Sequence, residues 1–347
     1  MKRKLFSLSI AVPLLAGRLC TLSAIAADGW SLTPAAAPVS LSGFMEDADL
    51  SGLAKAGNLV LVGSDEAVSI QLGTLDDSSG VIRFSSQIPL APGKKKKDGG
   101  GEIDMEGVCY AAGEKAFYVT GSHGLGKKKG DVQALRFGIY RIPCDPENGT
   151  IVTEQISRSS LLPWLESSVE FKSFVRQPLQ QNGFNIERLA YAGGYLYFGV
   201  RAPVVEGRAF IIEVKADELF HGQGTGISPR VYPISLGADT GIREIAAVQG
   251  GFLILSGNAG AEASKQFPQT TARKPDADFS LSFVPSPHPG EIGQPLNLGS
   301  VSAPGGKAEG LLVLEDGTEQ VKVVVLHDGL PQGGAVGYTI QRPPARK

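Results

Sequence analysis

The sequence predicts an all-β protein built as a β-propeller of four-stranded blades. One short phrase occurs five times, and each copy is followed by a turn and then by a run of β-forming residues. Recurrence of one supersecondary unit is typical of repeat folds arranged around an axis. The composition agrees, because 45 glycines and 22 prolines separate many short β-rich runs. The copies lie at 49–53, 104–108, 185–189, 241–245 and 307–311.

The first 26 residues have the character of a signal peptide rather than of a folded element. Lys2, Arg3 and Lys4 form a basic region, an apolar stretch follows, and small residues precede Ala27. The apolar stretch is too short to span a bilayer, and no later segment of the sequence is suited to do so. We predict a periplasmic or secreted protein, with cleavage near Ala26. The predicted organisation is a signal peptide at 1–26, a linker at 27–37, a single propeller domain at 38–342 and a tail at 343–347.

The third copy shows the repeating unit most clearly. Strands are predicted at 187–192, 195–201, 208–215 and 230–236, and the fourth copy of the phrase follows them. Four strands that meander and then restart within about 56 residues are typical of a propeller blade. A β-sandwich of similar strands is the alternative, although a sandwich does not need one phrase at the start of every unit.

The ends of the chain are expected to close the ring. Residues 309–341 supply about three strands, and the strand-like piece at 38–44 is predicted to pair with them as the missing fourth strand. Such a closure leaves no open sheet edge, whereas the alternative for 38–44 is a frayed tail. Five blades result. Six is the alternative, if the insertion at 159–175, where a short rim helix is expected, or the loop at 268–289 conceals another blade.

Charge and motifs exclude several classes of function. The formal net charge of −2 argues against general affinity for nucleic acid. None of the four histidines is spaced as in a zinc motif, and the glycines at 121–126 do not complete a phosphate-binding loop. We therefore expect no organic cofactor, and we expect a monomer.

Two cysteines, Cys109 and Cys144, remain after the predicted signal peptide. An oxidising compartment permits them to pair as a disulfide. Two buried free thiols are the alternative, and the sequence does not decide between them.

One face of the ring is expected to collect polar side chains from all five repeats. The second strand of each unit ends on a polar residue, and in an antiparallel pair that end lies beside the start of the first strand. Because the first strand is innermost in a propeller, its acids are expected at the mouth of the central channel. Converging carboxylates need a cation, basic partners or protons, and oxygen ligands suit Ca²⁺. The predicted metal ligands are Asp104, Glu106, Glu187 and Glu309.

Two alternatives for these acids stay open. Arg188, Arg201 and Arg243 are placed to neutralise them as ion pairs. Alternatively, each acid only holds the turn that enters its strand, by accepting hydrogen bonds from backbone N–H groups.

The recurring phrases resemble those of the bacterial domain of unknown function 3616 family. The resemblance covers about residues 40–340 and rests on 104–108, 121–124, 185–189 with 198–203, 241–245 and 307–311. It implies a propeller-like fold without an established activity. The Asp-x-Glu-Gly phrase is more distantly similar to esterase-like, phytase-like propellers, which implies a Ca²⁺-loaded acidic face that acts on phosphate esters. Ser51 and Arg243 depart from that pattern, because each stands where an acid is expected.

Two functional hypotheses follow. The first is an exported binding propeller whose acidic, Ca²⁺-holding face binds a small polar or phosphorylated ligand or an envelope protein. The second is a phytase-like phosphoesterase, in which Ca²⁺ positions the phosphate and activates water while histidine moves protons and Arg201, Lys127 or Lys128 neutralises charge. Whether the protein is an enzyme stays open. The candidate catalytic residues are Glu106, Glu187, His123, His327 and Arg201.

Overall fold

The strands form five separate sheets, each of four or five strands. The computed structural model describes residues 24–25, 29–35, 39–44, 50–65, 67–92, 101–269 and 278–344. In each sheet the strand that carries the recurring phrase lies at one edge, and the strands that follow it in the chain lie outwards from it in order. The protein is a five-bladed β-propeller, which confirms the predicted fold class and blade count. The predicted cleavage site near Ala26 and the lysines at 94–97 lie outside the described residues.

The blades are numbered 1 to 5 in chain order, and their strands are given from the axis outwards. Blade 1 contains Leu50–Ala56, Leu59–Ser64, Ser69–Asp76, Val81–Pro89 and Ser40–Ser42. Blade 2 contains Met105–Ala111, Ala116–Gly121, Ile139–Asp145 and the short strands Thr150–Ile151 and Ser157–Ser159. Blade 3 contains Asn185–Ala192, Tyr195–Val205, Arg208–Lys215 and Arg230–Ser235. Blade 4 contains Thr240–Val248, Gly251–Asn258, Ser280–Pro285 and Leu296–Ser300. Blade 5 contains Lys307–Asp316, Gln320–Asp328, Val336–Gln341, Ser31–Ala35 and Ala24–Ile25.

Helices are few and short. The insertion at 159–175 contains the helix Leu162–Leu165, and Phe171 from the same insertion packs into the core between blades 2 and 3. The expected rim helix is therefore present, and this insertion adds no blade. A second helix, Ala216–His221, follows the third strand of blade 3. Among the described residues, no helix has the length and apolar character that a membrane crossing requires. The 3₁₀ turns are Ala112–Glu114, Ala134–Phe137, Thr153–Gln155, Leu179–Gln181 and Pro331–Gly334.

The ring is closed by Ser31–Ala35, and the prediction that 38–44 pairs with the last blade is wrong. Ser31–Ala35 pairs antiparallel with the third strand of blade 5. Ser40–Ser42 instead pairs in parallel with the outer edge of blade 1. Apolar burial explains the assignment, because Trp30 stacks on Phe283 with ring centroids 4.5 Å apart in the core between blades 4 and 5. The segment predicted as a linker thus contains the closing strand.

The apolar core is divided between neighbouring blades. Each inner strand contacts the inner strands of the two adjacent blades, so the five form a closed ring. The buried apolar side chains of the described residues form five clusters, one at each junction between blades. Strands that are buried on both faces explain the continuous apolar runs of the sequence, such as Leu59–Ser64, which is buried throughout.

Cys109 and Cys144 are both buried free thiols. Cys109 packs in the cluster between blades 2 and 3, whereas Cys144 packs in the cluster between blades 1 and 2. Of the two alternatives, the structure therefore has the pair of free thiols. Burial raises the pKa of the Cys144 thiol to about 11, which keeps it protonated and unreactive near neutral pH.

Candidate functional site

The recurring phrase of the sequence is a β-bulge in the inner strand of each blade. The pairing register shifts by one residue at this place in all five inner strands. A bulge leaves one residue out of the ladder and re-aims its side chain. In blade 1 the bulge falls on Gly52, and Ser51 holds the equivalent position of the phrase. We call the five equivalent residues the axial ring: Ser51, Glu106, Glu187, Arg243 and Glu309.

The residues that directly follow the axial ring in each phrase form a second layer around the axis, and most of them are small. Three of its members are glycines, and the other two are Arg188 and Glu244. A Cβ on Gly52 would lie 2.7 Å from the carbonyl oxygen of Glu106, because the backbone of the next blade approaches so closely. A Cβ on Gly107 would similarly lie 2.6 Å from a backbone nitrogen of blade 3. Glycine in these copies leaves the axis free for one long side chain.

That side chain is Arg188, which belongs to blade 3 and reaches the inner strands of the other four blades. Its Nη1 donates to Ser51 Oγ at 3.0 Å and to the carbonyl oxygen of Glu106 at 2.6 Å. Its Nε donates to Glu244 Oε2 at 3.1 Å, and its Nη2 donates to the carbonyl oxygen of Glu309. The guanidinium is only 1% exposed. It fills the channel beneath the axial ring.

A polar pocket of about 340 Å³ lies above the axial ring. Six acidic and four basic side chains line it, so its charge favours cations. The second strands and the loops that follow them supply the walls. We call it the axial pocket, and its charged lining residues are Asp65, Glu106, Glu187, Glu262, Glu309, Asp328, Lys127, Arg201, Arg243 and Lys307.

On one side of the axial pocket the acids are held by arginines. Arg243 Nη2 lies 3.0 Å from Glu187 Oε1 and also pairs with Glu309. Arg201 Nη1 lies 3.5 Å from Glu187 Oε2. Burial raises the pKa of Glu187, but Arg243, Arg201 and Arg188 outweigh burial, and the pKa lies below its usual value. Glu187 and Glu309, two of the predicted metal ligands, are thus neutralised as ion pairs with arginines.

On the other side, three carboxylates come together, and their basic partners are Lys127, Arg136 and Arg188. One oxygen from each of Asp65, Asp104 and Glu106 lies within 4.8 Å of the others, and we call this group the acidic cluster. Asp104 is 1% exposed, and its Oδ2 accepts a 2.6 Å hydrogen bond from Arg136. Its Oδ1 accepts none from the residues that the structure describes. Lys127 Nζ lies 4.0 Å from that oxygen and 3.6 Å from Asp65 Oδ2.

Asp65 and Glu106 of the acidic cluster hold their protons unusually tightly. Burial, followed by repulsion from Asp104, raises the pKa of Asp65 to about 8. Burial and the neighbouring Glu187, Asp65 and Asp104 raise the pKa of Glu106 well above its usual value. Burial lowers the pKa of Lys127, but the carboxylates outweigh it, and the pKa lies above its usual value. Retained protons or a bound cation can therefore offset the mutual repulsion of these carboxylates.

Asp65 is the member of the acidic cluster that was not among the predicted ligands. It follows the second strand of blade 1, and that strand packs against the inner strand of blade 2, which Asp104 precedes. Asp104 has φ of +53°, a left-handed conformation that few residues other than glycine adopt. The available signal was the polar residue after each second strand. That this residue of blade 1 lies beside an acid of blade 2 could be seen only in the structure.

The two candidate histidines lie buried outside the axial pocket. The Nε2 of His123 accepts a 3.2 Å hydrogen bond from the backbone N–H of Leu161, and its Nδ1 contacts a backbone carbonyl oxygen. Burial lowers the pKa of His123 to about 4. Both ring nitrogens of His327 lie 2.9 Å from carbonyl oxygens, those of Gly334 and Val301. Both rings are therefore occupied by backbone contacts that hold loops in place.

Fold and site together define a five-bladed β-propeller with a charged pocket on its axis. The chain belongs to the family described as "Protein of unknown function (DUF3616)", whose model matches residues 49–136 and 145–334. A search of the curated proteins finds no match to this sequence.

Several solved structures are similar over most of the chain. The PQQ-bound aldose sugar dehydrogenase of Streptomyces coelicolor has 12% identity, covers 91% of this chain and 99% of its own, and has a TM-score of 0.41. Glutaminyl cyclase of Myxococcus xanthus has 11% identity, coverages of 87% and 97%, and a TM-score of 0.43. The calcium structure of a Trichoderma reesei carbohydrate-active enzyme of family AA12 has 10% identity, coverages of 93% and 98%, and a TM-score of 0.43. At TM-scores of this size, none of them indicates an activity for this chain.

Proposed function

We propose that the protein binds a divalent cation, Ca²⁺, at the acidic cluster and uses it to hold a small oxyanion ligand in the axial pocket. The observation that carries the proposal is Asp104 Oδ1, a buried carboxylate oxygen without a hydrogen bond among the described residues, in a side chain that lies beside two further carboxylates. Arg136 pairs with the other oxygen of this carboxylate, but a buried oxygen without a hydrogen bond is unfavourable, and a bound cation would compensate it.

The dimensions of the acidic cluster suit Ca²⁺. Calcium binds oxygen at about 2.3–2.6 Å, so two oxygens on opposite sides of one ion are roughly 5 Å apart. The separations within 4.8 Å are inside that limit. Three carboxylates leave several of the six to eight coordination positions of Ca²⁺ to water or to a ligand. Lys127 and Lys307 line the same pocket and would contribute positive charge beside a bound oxyanion.

Binding is favoured over hydrolysis because the pocket lacks the expected histidine. His123 and His327 are buried, and backbone groups occupy their ring nitrogens. The phytase-like hypothesis assigned proton transfer to one of them. No specific contact supports that role, so we propose a cation-dependent binding protein and not a phosphoesterase.

Removal of metal tests the proposal. After EDTA treatment and dialysis, addition of Ca²⁺ at about 100 times its Kd is expected to raise the melting temperature by about 5 °C, because the ion binds only the folded state. Differential scanning calorimetry measures the shift, with Na⁺ at equal ionic strength as the control. Absence of a shift with Ca²⁺, Mg²⁺ and Mn²⁺ would refute the cation site.

The shift is expected to grow as pH rises. The folded-state pKa values of Asp65 and Glu106 are raised, so without cation their protonated forms stabilise the fold fully below pH about 4. For Asp65 this contribution is lost as pH rises through about 8, and for Glu106 it is lost as pH rises through its own raised pKa. Ca²⁺ replaces those protons and should restore the lost stability. Melting curves with EDTA and with Ca²⁺ at pH 5, 7 and 9 measure the difference. A shift that is largest at pH 5 would contradict this prediction.

A further inference from the structure

A second cavity adjoins the axial pocket between blades 5 and 1. Its volume is about 270 Å³, and we call it the junction pocket. Glu309 and Asp328 line both cavities, so these side chains stand at their border. Beyond that border no basic side chain lines the junction pocket among the described residues, and its walls are largely apolar. The apolar side chains are Leu50, Leu53, Val62, Leu326 and Leu330.

The junction pocket exists because the two flanking blades carry small residues there. Blade 1 has Ser51 in the axial ring where three other blades have glutamates, and its hydroxyl turns to Arg188 and Glu106. On the side of blade 5 the wall includes Gly310, Gly329 and Gly333. Ser51, which departs from the repeated phrase, and these three glycines therefore leave space at one junction of the ring.

We propose that the two cavities form one site for an amphipathic ligand, with an oxyanion head in the axial pocket and an apolar group in the junction pocket. The position of the head rests on the proposed cation site. The size of the apolar group follows from the volume, because an apolar cavity of about 150 Å³ already holds benzene. The junction pocket is larger than that, at about 270 Å³. It has room for a phenyl ring or a short alkyl chain.

The charges at the border are compatible with an anionic head. Glu309 is paired with Arg243, so its charge is compensated. Lys307 and Asp328 are partners across the first two strands of blade 5, and both line the axial pocket. The anionic head is not expected to enter the junction pocket, because burial of an unpaired charge against its apolar walls is unfavourable. The head is thus directed to the axis and the apolar group to the junction.

Two phosphonates that differ only in the apolar group test the proposal. Phenylphosphonate and methylphosphonate are titrated by calorimetry into the Ca²⁺-loaded protein. We expect phenylphosphonate to bind at least about tenfold more tightly, because each additional buried carbon contributes to affinity. Equal affinities would overturn the inference.

A substitution that fills the junction pocket provides the matched comparison. Leu330→Trp is expected to reduce the affinity for phenylphosphonate to that for methylphosphonate, without changing the Ca²⁺-induced rise in melting temperature. The control is Leu162→Trp, which enlarges a half-buried leucine on the rim between blades 2 and 3 and should leave the preference intact. A preference that survives Leu330→Trp would also overturn the inference.

The outcomes separate this inference from the cation site. A Ca²⁺-induced shift without any preference for the phenyl group would leave the cation site standing and refute the junction pocket. A preference for phenylphosphonate without a Ca²⁺-induced shift would support the junction pocket and refute the cation. Benzylamine is the third probe, and binding as tight as that of phenylphosphonate would refute an oxyanion head.

Discussion

Replacement of Arg188 by methionine is expected to lower the free energy of unfolding by about 3–5 kcal/mol. The substitution leaves the Glu244 carboxylate buried without the guanidinium that now donates to it. It also removes the donor that serves backbone carbonyl oxygens at Glu106 and Glu309. A methionine fills much of the volume, so the loss reports charge and hydrogen bonding rather than a cavity. Urea unfolding followed by tryptophan fluorescence measures the difference.

Two comparisons give this prediction its control. Arg208→Met removes an arginine that is half exposed and pairs with Glu206 on the surface, and it should cost less than about 1 kcal/mol. The double variant Arg188→Met with Glu244→Gln should recover part of the loss, because the charge of Glu244 is then no longer buried without its partner. Equal effects of Arg188→Met and Arg208→Met would show that the axial contacts contribute little to stability.

The substitution Asp65→Asn is expected to weaken binding of Ca²⁺ at least about tenfold, because the charge of the ligands sets calcium affinity. The same variant should be more stable than the unaltered protein when both lack cation at pH 9. The reason is that an ionised Asp65 beside Asp104 is unfavourable, as its pKa of about 8 indicates. Opposite effects on cation binding and on cation-free stability are the signature of a metal ligand.

The matched control is Asp217→Asn on the short outer helix Ala216–His221, far from the axis in the fold. It should change neither Ca²⁺ binding nor the stability at pH 9 by a measurable amount. Loss of cation-free stability in Asp65→Asn would mean that this carboxylate serves as a structural partner of Lys127. That result would count against the acidic cluster as a metal site.

The repeated phrase allowed the architecture to be predicted, because it marks the same position in every blade. The inner and second strands were placed to within a few residues, since continuous apolar runs and glycine turns bound them. The closing strand was misplaced because two segments, Ser31–Ala35 and Ser40–Ser42, are both short and β-forming. Burial of Trp30 against Phe283 distinguishes them, and that contact joins residues distant in sequence.

The site was predictable only as far as the repeat is symmetric. Equivalent positions had to converge on the axis, so Glu106, Glu187 and Glu309 were expected in one place, and all three line the axial pocket. Contacts between side chains of different blades do not recur with the repeated phrase, so the phrase could not predict them. The reach of Arg188 to four other blades and the approach of Asp65 to Asp104 depend on side-chain lengths and on neighbouring backbones.

Blades 5 and 1 meet where the chain both begins and completes its circuit. Ser31–Ala35 belongs to blade 5 and Ser40–Ser42 to blade 1, so two neighbouring segments of the sequence form outer strands of the two blades that meet here. The junction pocket, where we propose that a ligand binds, lies on the inner side of the same contact between blades. A ligand bound there would contact both blades from inside the ring, and its binding would therefore oppose separation of the first blade from the last.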